Sequence, residues 1–167
     1  MSISNPRMNL LSLLLLFLLA GCGDEAPILS KGQVMQGFTL DRLTEGTLRF
    51  PDDLRGKVVA IRFWADWCPF CKTEMQDIEP VYQKYRDNNL VILAINVRQD
   101  QATAARFIRK LDISYDVLLD REGEVARGYG VMGLPTTFIV DRSGRLHTKI
   151  LGESTPELFE KIIKEIL

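Results

Sequence analysis

The chain has 167 residues, 46% of them apolar, with a formal net charge of −1. That is enough for one domain with a real core, and no basic stretch marks a binder of nucleic acid or of anionic surfaces. Three cysteines (Cys22, Cys68 and Cys71) and a single histidine, His147, exclude a disulfide-stapled framework and leave no four neighbouring ligands for a Cys/His zinc site.

Leu10 to Ala20 reads LLSLLLLFLLA and follows Arg7. The run is too short to span a bilayer and has the form of a secretory signal. Leu19-Ala20-Gly21-Cys22 resembles the bacterial lipobox. That resemblance implies a lipoprotein signal peptide at 1–21 and a lipid on Cys22. A plain signal peptide with a stray cysteine is the alternative. Residues 22–32 read as a short polar tether. Residues 33–167 form the domain, working outside the cytoplasm, where disulfides persist.

Phe38 to Phe50 carries two short alternating runs around Thr44-Glu45-Gly46, a β-hairpin. Pro51 to Leu54 reads as a helical turn. Lys57 to Trp64 (KVVAIRFW) is apolar on both faces and predicts a central buried strand. A helix follows from Pro69 to about Tyr85, kinked at Pro80. Leu90 to Val97 is a second buried strand. Ala102 to Leu111 is an amphipathic helix with Ala105, Ile108 and Leu111 inward. Val117–Leu119 is a short strand, Glu122 to Tyr129 a short helix and Pro135 to Val140 a strand. Asp141 to Gly144 turns into the strand Arg145 to Leu151. Pro156 to Leu167 is the closing helix, capped by Thr155. The alternation predicts an α/β domain whose central mixed β-sheet is flanked by helices.

Cys68 and Cys71 stand two residues apart at a strand-to-helix turn. Such a pair staples a fold, holds half of a metal site, or exchanges electrons. No second pair completes a metal site, and so short a loop gains little from closure. Exchange needs an attacking thiolate, a resolving thiol and access. Cys68, at a helix N-terminus, has the dipole and free N–H groups that favour a thiolate. Cys71, one turn in, is placed to resolve.

Trp64-Ala-Asp-Trp-Cys-Pro-Phe-Cys-Lys72 resembles the thioredoxin active-site stretch, and Tyr129-Gly-Val-Met-Gly-Leu-Pro-Thr-Thr137 resembles the segment holding the cis-proline of that fold. Within that superfamily the chain is similar to the TlpA/ResA-like proteins over about Gln33 to Leu167. The N-terminal hairpin, the extra helix and strand after Ala102, and the lipoprotein address carry this. The resemblance implies a thioredoxin-like fold and a membrane-anchored disulfide reductase on the periplasmic face of the inner membrane. It implies protein disulfide substrates, among them apocytochrome c, and a membrane thiol electron donor. It implies no nucleic acid, metal or cofactor beyond the Cys68–Cys71 pair. Residue by residue, Pro135 takes the place of the cis-proline and Leu134 that of a substrate-pairing backbone. Glu74 takes the place of a carboxylate that exchanges a proton with Cys71. Its plainer reading is a solvated first-turn glutamate. Trp67 and Phe70 are substrate contacts or simple packing.

Two positions depart from the pattern. Arg62 stands where thioredoxins place a buried Asp, and it either pairs with Glu74 or snorkels to the sheet edge. The dipeptide Pro69-Phe70 puts proline first, which leaves the direction of electron flow open between reductase and oxidase or isomerase. A thiol peroxidase would want Thr at Ala65, and a Sco-type copper chaperone one more residue between the cysteines and a ligand histidine.

Overall fold

The computed structural model describes residues 27–167. The expected signal segment and the expected lipidation at Cys22 lie outside the described residues.

Seven strands pair into one sheet: β1 (Phe38–Arg42), β2 (Thr47–Phe50), β3 (Val58–Trp64), β4 (Leu90–Val97), β5 (Asp116–Asp120), β6 (Thr136–Val140) and β7 (Leu146–Leu151). Their order is β2-β1-β5-β4-β3-β6-β7. β3, β4 and β5 run parallel. The N-terminal hairpin adds antiparallel to β5, and the C-terminal hairpin adds antiparallel to β3. Helices α1 (Pro69–Asp77), α2 (Glu79–Tyr85), α3 (Gln101–Ile108), α4 (Glu124–Gly128) and α5 (Pro156–Lys164) cover the sheet. This is the thioredoxin-like α/β architecture, mixed as expected.

β3 is buried along its whole length, and its side chains alternate between two cores. Val58, Ala60 and Trp64 join Met75 of α1 with Phe159 and Ile163 of α5. Val59, Ile61 and Phe63 join Phe138 and Tyr129 on the other face. The same alternation sends Arg62 toward α1 and α5.

The helix expected to run from Pro69 to Tyr85 is two helices. Pro80 has no N–H to return to the Gln76 carbonyl, so the ladder stops at Ile78. It restarts where Tyr82 N–H bonds the Ile78 carbonyl at 3.0 Å. α3 begins at Gln101, because the Asp100 carboxylate accepts the Thr103 N–H at 2.7 Å. It ends at Ile108, short of Leu111, which is nonetheless buried. Ala104 rather than Ala105 is its buried residue, and Ile108 packs against the core as expected, beside Phe107. α4 is shorter than expected at both ends. The Asp120 carboxylate accepts the Val125 and Ala126 N–H groups and fixes its start. Thr155 caps α5 through the Leu158 N–H at 3.3 Å, and that helix ends at Lys164 rather than Leu167.

The chain lies on the domain well before β1. Leu29 packs against the Tyr129 side of the core. Gly32 and Gln33 exchange backbone hydrogen bonds with Leu146 at 2.7 and 2.8 Å. Gly130 has φ +63°, and a Cβ there would stand 2.2 Å from the Pro27 carbonyl oxygen, so glycine is required by conformation and by contact. No helix among the described residues is long and apolar enough to cross a membrane.

Candidate active site

β3 delivers the chain to the turn Ala65-Asp66-Trp67, and Cys68 is the N-cap of α1 with Pro69 as the first helical residue. Pro69 fits because its missing N–H would have been unpaired there. Cys68 and Cys71 are joined, with an S–S distance of 2.07 Å and Cα atoms 5.4 Å apart. Both are more enclosed than the sequence suggests: Cys68 is 2% exposed and Cys71 fully buried. Only Cys68 has any reach to solvent, which fits it to attack and Cys71 to resolve.

The turn is held from β4. Asp66 N–H donates to Gln99 Oε1 at 2.9 Å, Gln99 Nε2 donates back to the Asp66 carboxylate, and Asn96 Nδ2 donates to Gln99 Oε1 at 2.8 Å. Gln99 lies 33 residues from Asp66 and carries no motif that marks it.

Beneath the cysteines, Arg62 meets Glu74. The Arg62 Nη2 donates to Glu74 Oε1 at 3.0 Å, with the two side chains 1% and 2% exposed. Of the two readings of Arg62, the pair is what the fold builds, because β3 alternation and the second turn of α1 aim both groups into one core. Arg62 Nε also donates to Thr137 Oγ1 at 3.1 Å, and its guanidinium stands 5.8 Å from the centre of the Phe159 ring. Glu74 Oε1 further accepts the N–H and the hydroxyl of Ser154, both at 2.8 Å. Glu74 is therefore not a solvated first-turn residue. Its Oε2 and Arg62 Nη1 have no hydrogen-bond partner among the described residues. Burial lowers the pKa of Arg62 from its ordinary value, and Glu74 opposes that shift. Tyr115, whose hydroxyl donates to the Met75 carbonyl at 2.7 Å, closes the far side. Its burial raises its pKa well above that of a free phenol.

Above the cysteines the surface is apolar. Trp67 is 68% exposed, Phe70 54% and Met132 88%. The Leu134–Pro135 peptide is cis, as the motif implied, and so is Phe50–Pro51, which had no such signal. Pro135 is buried and Leu134 half-buried. Neither backbone group of Leu134 has a hydrogen-bond partner among the described residues. The structure thus brings Trp67 and Leu134 together with Met132 in one depression and packs Leu134 against the core that holds Cys68 and Cys71, with Pro135 next to Leu134 in the chain, Phe70 exposed between the cysteines and Glu74 buried one turn after Cys71. Among the described residues, no cluster of three or more Cys, His, Asp or Glu side chains is arranged to hold a metal.

Residues 31–149 match the AhpC/TSA family. The thiol-disulfide oxidoreductase ResA of Geobacillus thermodenitrificans is 31% identical over 168 residues, covering 96% of each chain. The chain belongs to the AhpC/TSA family, as a ResA-type thiol-disulfide oxidoreductase. A second ResA, from Bacillus thuringiensis, is 34% identical over 114 residues, and this ResA-type chain spans 66% of its length. Among solved structures, a protein of Chlorobium tepidum described as a candidate thiol:disulfide interchange protein DsbE superposes with a TM-score of 0.78 at 29% identity. That match covers 83% of this chain and 98% of the other.

Proposed function

We propose that this protein is an extracytoplasmic disulfide reductase, lipid-anchored through Cys22 and acting on protein disulfides. Its organisation is a signal peptide at 1–21, a lipid-bearing segment from Cys22 and a catalytic domain to Leu167. The observation that carries the reading is the Cys68–Cys71 pair at the start of α1, open to the surface only through Cys68 and backed by a buried carboxylate.

In the reduced protein the Cys68 thiolate attacks one sulfur of the substrate disulfide. A mixed disulfide forms, and the released substrate thiolate takes a proton from solvent. The Cys71 thiol then loses its proton and attacks the Cys68 sulfur. That closes the Cys68–Cys71 disulfide and expels the second substrate sulfur as a thiolate, which takes a proton from solvent. The substrate gains two electrons and the protein loses two. The proton leaving Cys71 passes to Glu74, the one carboxylate buried behind it. A substrate strand pairs with the backbone of Leu134 while Trp67 and Phe70 cover its side chains. A membrane thiol carrier restores the dithiol. Apocytochrome c, with its paired haem-binding cysteines, is a fitting substrate.

One observation favours an oxidase instead. A positive charge under the pair stabilises thiolates, and stabilising the reduced form makes a disulfide oxidising. Here Glu74 sits 3.0 Å from that charge and offsets it, which favours the reductase. The test is the reduction potential of the Cys68–Cys71 pair, measured on the purified chain in dithiothreitol and glutathione buffers. A value near that of thioredoxin, about −270 mV, is expected. A value near that of DsbA, about −120 mV, reverses the direction.

A further inference from the structure

Two depressions flank the active-site turn, one on either side of Asp66-Trp67. The first, of about 250 Å³, is lined by Trp67, Val97, Val131, Met132 and Leu134, with Arg98 and Arg127 at its rim. The second, of about 370 Å³, is lined by Arg106, Arg109 and Lys110 beside Phe107 and Asp66. All five cations are exposed. No ion pair of the described residues involves any of them. Arg127 donates to the Glu122 carbonyl at 2.8 Å and Arg106 to the Thr103 hydroxyl at 2.7 Å. Those bonds orient the guanidinium groups without neutralising them.

Two acids, Asp66 and Asp100, stand among these cations, each hydrogen-bonded to a neutral group. Asp66, the single acid lining either depression, is held by Gln99. Asp100 accepts the Thr103 N–H as the cap of α3. Glu122 and Glu124 line a separate depression with Asp41. A chain of net charge −1 therefore gathers five cations, none in an ion pair among the described residues, in two depressions beside the active-site turn. They come from the end of β4, from α3 and the turn after it, and from α4.

We propose that these cations select substrates whose cysteines are flanked by acidic residues. The occupant is an extended polypeptide segment that lays an apolar side chain against Trp67 and Met132 and carboxylates against Arg98, Arg127 and the α3 cations. The inference rests on the thiol–disulfide exchange assigned above and names its substrate class. A polypeptide is favoured over an anionic lipid surface because both depressions adjoin the Asp66-Trp67 turn that leads directly into Cys68. Complementary charge around a reacting centre raises encounter rates by about 10 to 10³-fold and fades with salt.

The test uses the full chain, reduced beforehand, and three peptides that each hold one intramolecular disulfide. The disulfide is flanked by Asp and Glu, by Ser, or by Lys and Arg. Oxidation of the protein is followed by tryptophan fluorescence, and neutral hydroxyethyl disulfide reports exchange without charge. The acidic peptide should react fastest and the basic one slowest, about tenfold apart at low ionic strength. The spread should collapse in 1 M salt, where screening acts within about 3 Å. Arg98→Glu with Arg127→Glu should reverse or flatten the order, and Arg98→Gln with Arg127→Gln should narrow it. Equal rates for the three peptides, with hydroxyethyl disulfide still reduced, overturn the inference and leave the exchange reading standing. Equal rates together with binding to phosphatidylglycerol vesicles overturn it in favour of a lipid surface. Failure to reduce any of the disulfides overturns both readings.

Discussion

Removing Arg62 alone should cost far more than removing Arg62 and Glu74 together. In Arg62→Met the Glu74 carboxylate keeps the two Ser154 donors but loses its only counter-charge, in a site 2% exposed. Breaking such a buried pair costs about 3–5 kcal/mol, because the remaining charge is neither solvated nor paired. With a urea slope of about 2 kcal/mol/M for a domain of this size, the unfolding midpoint falls by about 1.5–2.5 M. Glu74→Gln leaves an acceptor for Ser154 but strands the Arg62 charge, at a cost of about 3 kcal/mol. The double variant Arg62→Met/Glu74→Gln buries no charge and should recover to within about 1–2 kcal/mol of the parent. Urea unfolding of the parent, the two single variants and the double variant completes a thermodynamic cycle. The expected coupling is about 3 kcal/mol or more. A coupling below about 1 kcal/mol, the range of exposed ion pairs, would refute the argument, since it would mean that water reaches the pair.

Two further outcomes follow from the same surroundings. Glu74→Gln leaves the Arg62 charge uncompensated beneath the cysteines, so the pH profile of iodoacetamide alkylation of the reduced protein should move to lower pH. An unmoved profile removes Glu74 from the thiol chemistry. Burial raises the folded-state pKa of Tyr115 and Tyr129 above the free value of 10.0. Both phenols hold their protons longer folded than unfolded, so their contribution to stability is complete below pH 10 and declines above it. Their phenolate absorbance should therefore appear together with alkaline unfolding rather than ahead of it.

The architecture was legible where one period dominated. β3 and β4 are continuous apolar runs, and both motif stretches lie at strand ends in the order the fold demands. The reading weakened where a single tertiary hydrogen bond sets a boundary. Asp100 and Asp120 fix the starts of α3 and α4 through backbone N–H groups, and the periodicity of the helices themselves says nothing of them. At the site, Cys68, Cys71, Leu134 and Pro135 were marked by their motifs, and Glu74 by its spacing from Cys71. Arg62 was visible as an anomaly, a charge inside a strand with no polar face. Its partner Glu74 was one of two readings, and the fold decides between them, since strand alternation and the second turn of α1 bring the two together. Ser154 and Thr137 had no signal, as each acts from a separate element far along the chain. The cations beside the active-site turn were equally hidden. They form no long basic run in the sequence and come together only in depressions that the Asp66-Trp67 turn shares with elements far along the chain.

The seating of Pro27 against Gly130 also bears on where this enzyme works. Cys22 precedes Pro27 by five residues, and a fully extended chain advances at most about 3.3–3.6 Å per residue. With a lipid on Cys22, as proposed above, the leash between bilayer and domain is at most about 18 Å long. It attaches beside the same loop that carries Leu134. The active site then sweeps a thin shell over the membrane rather than the open volume around it. Disulfides presented close to the bilayer come within its radius, and those on freely diffusing proteins do so only when they approach the surface.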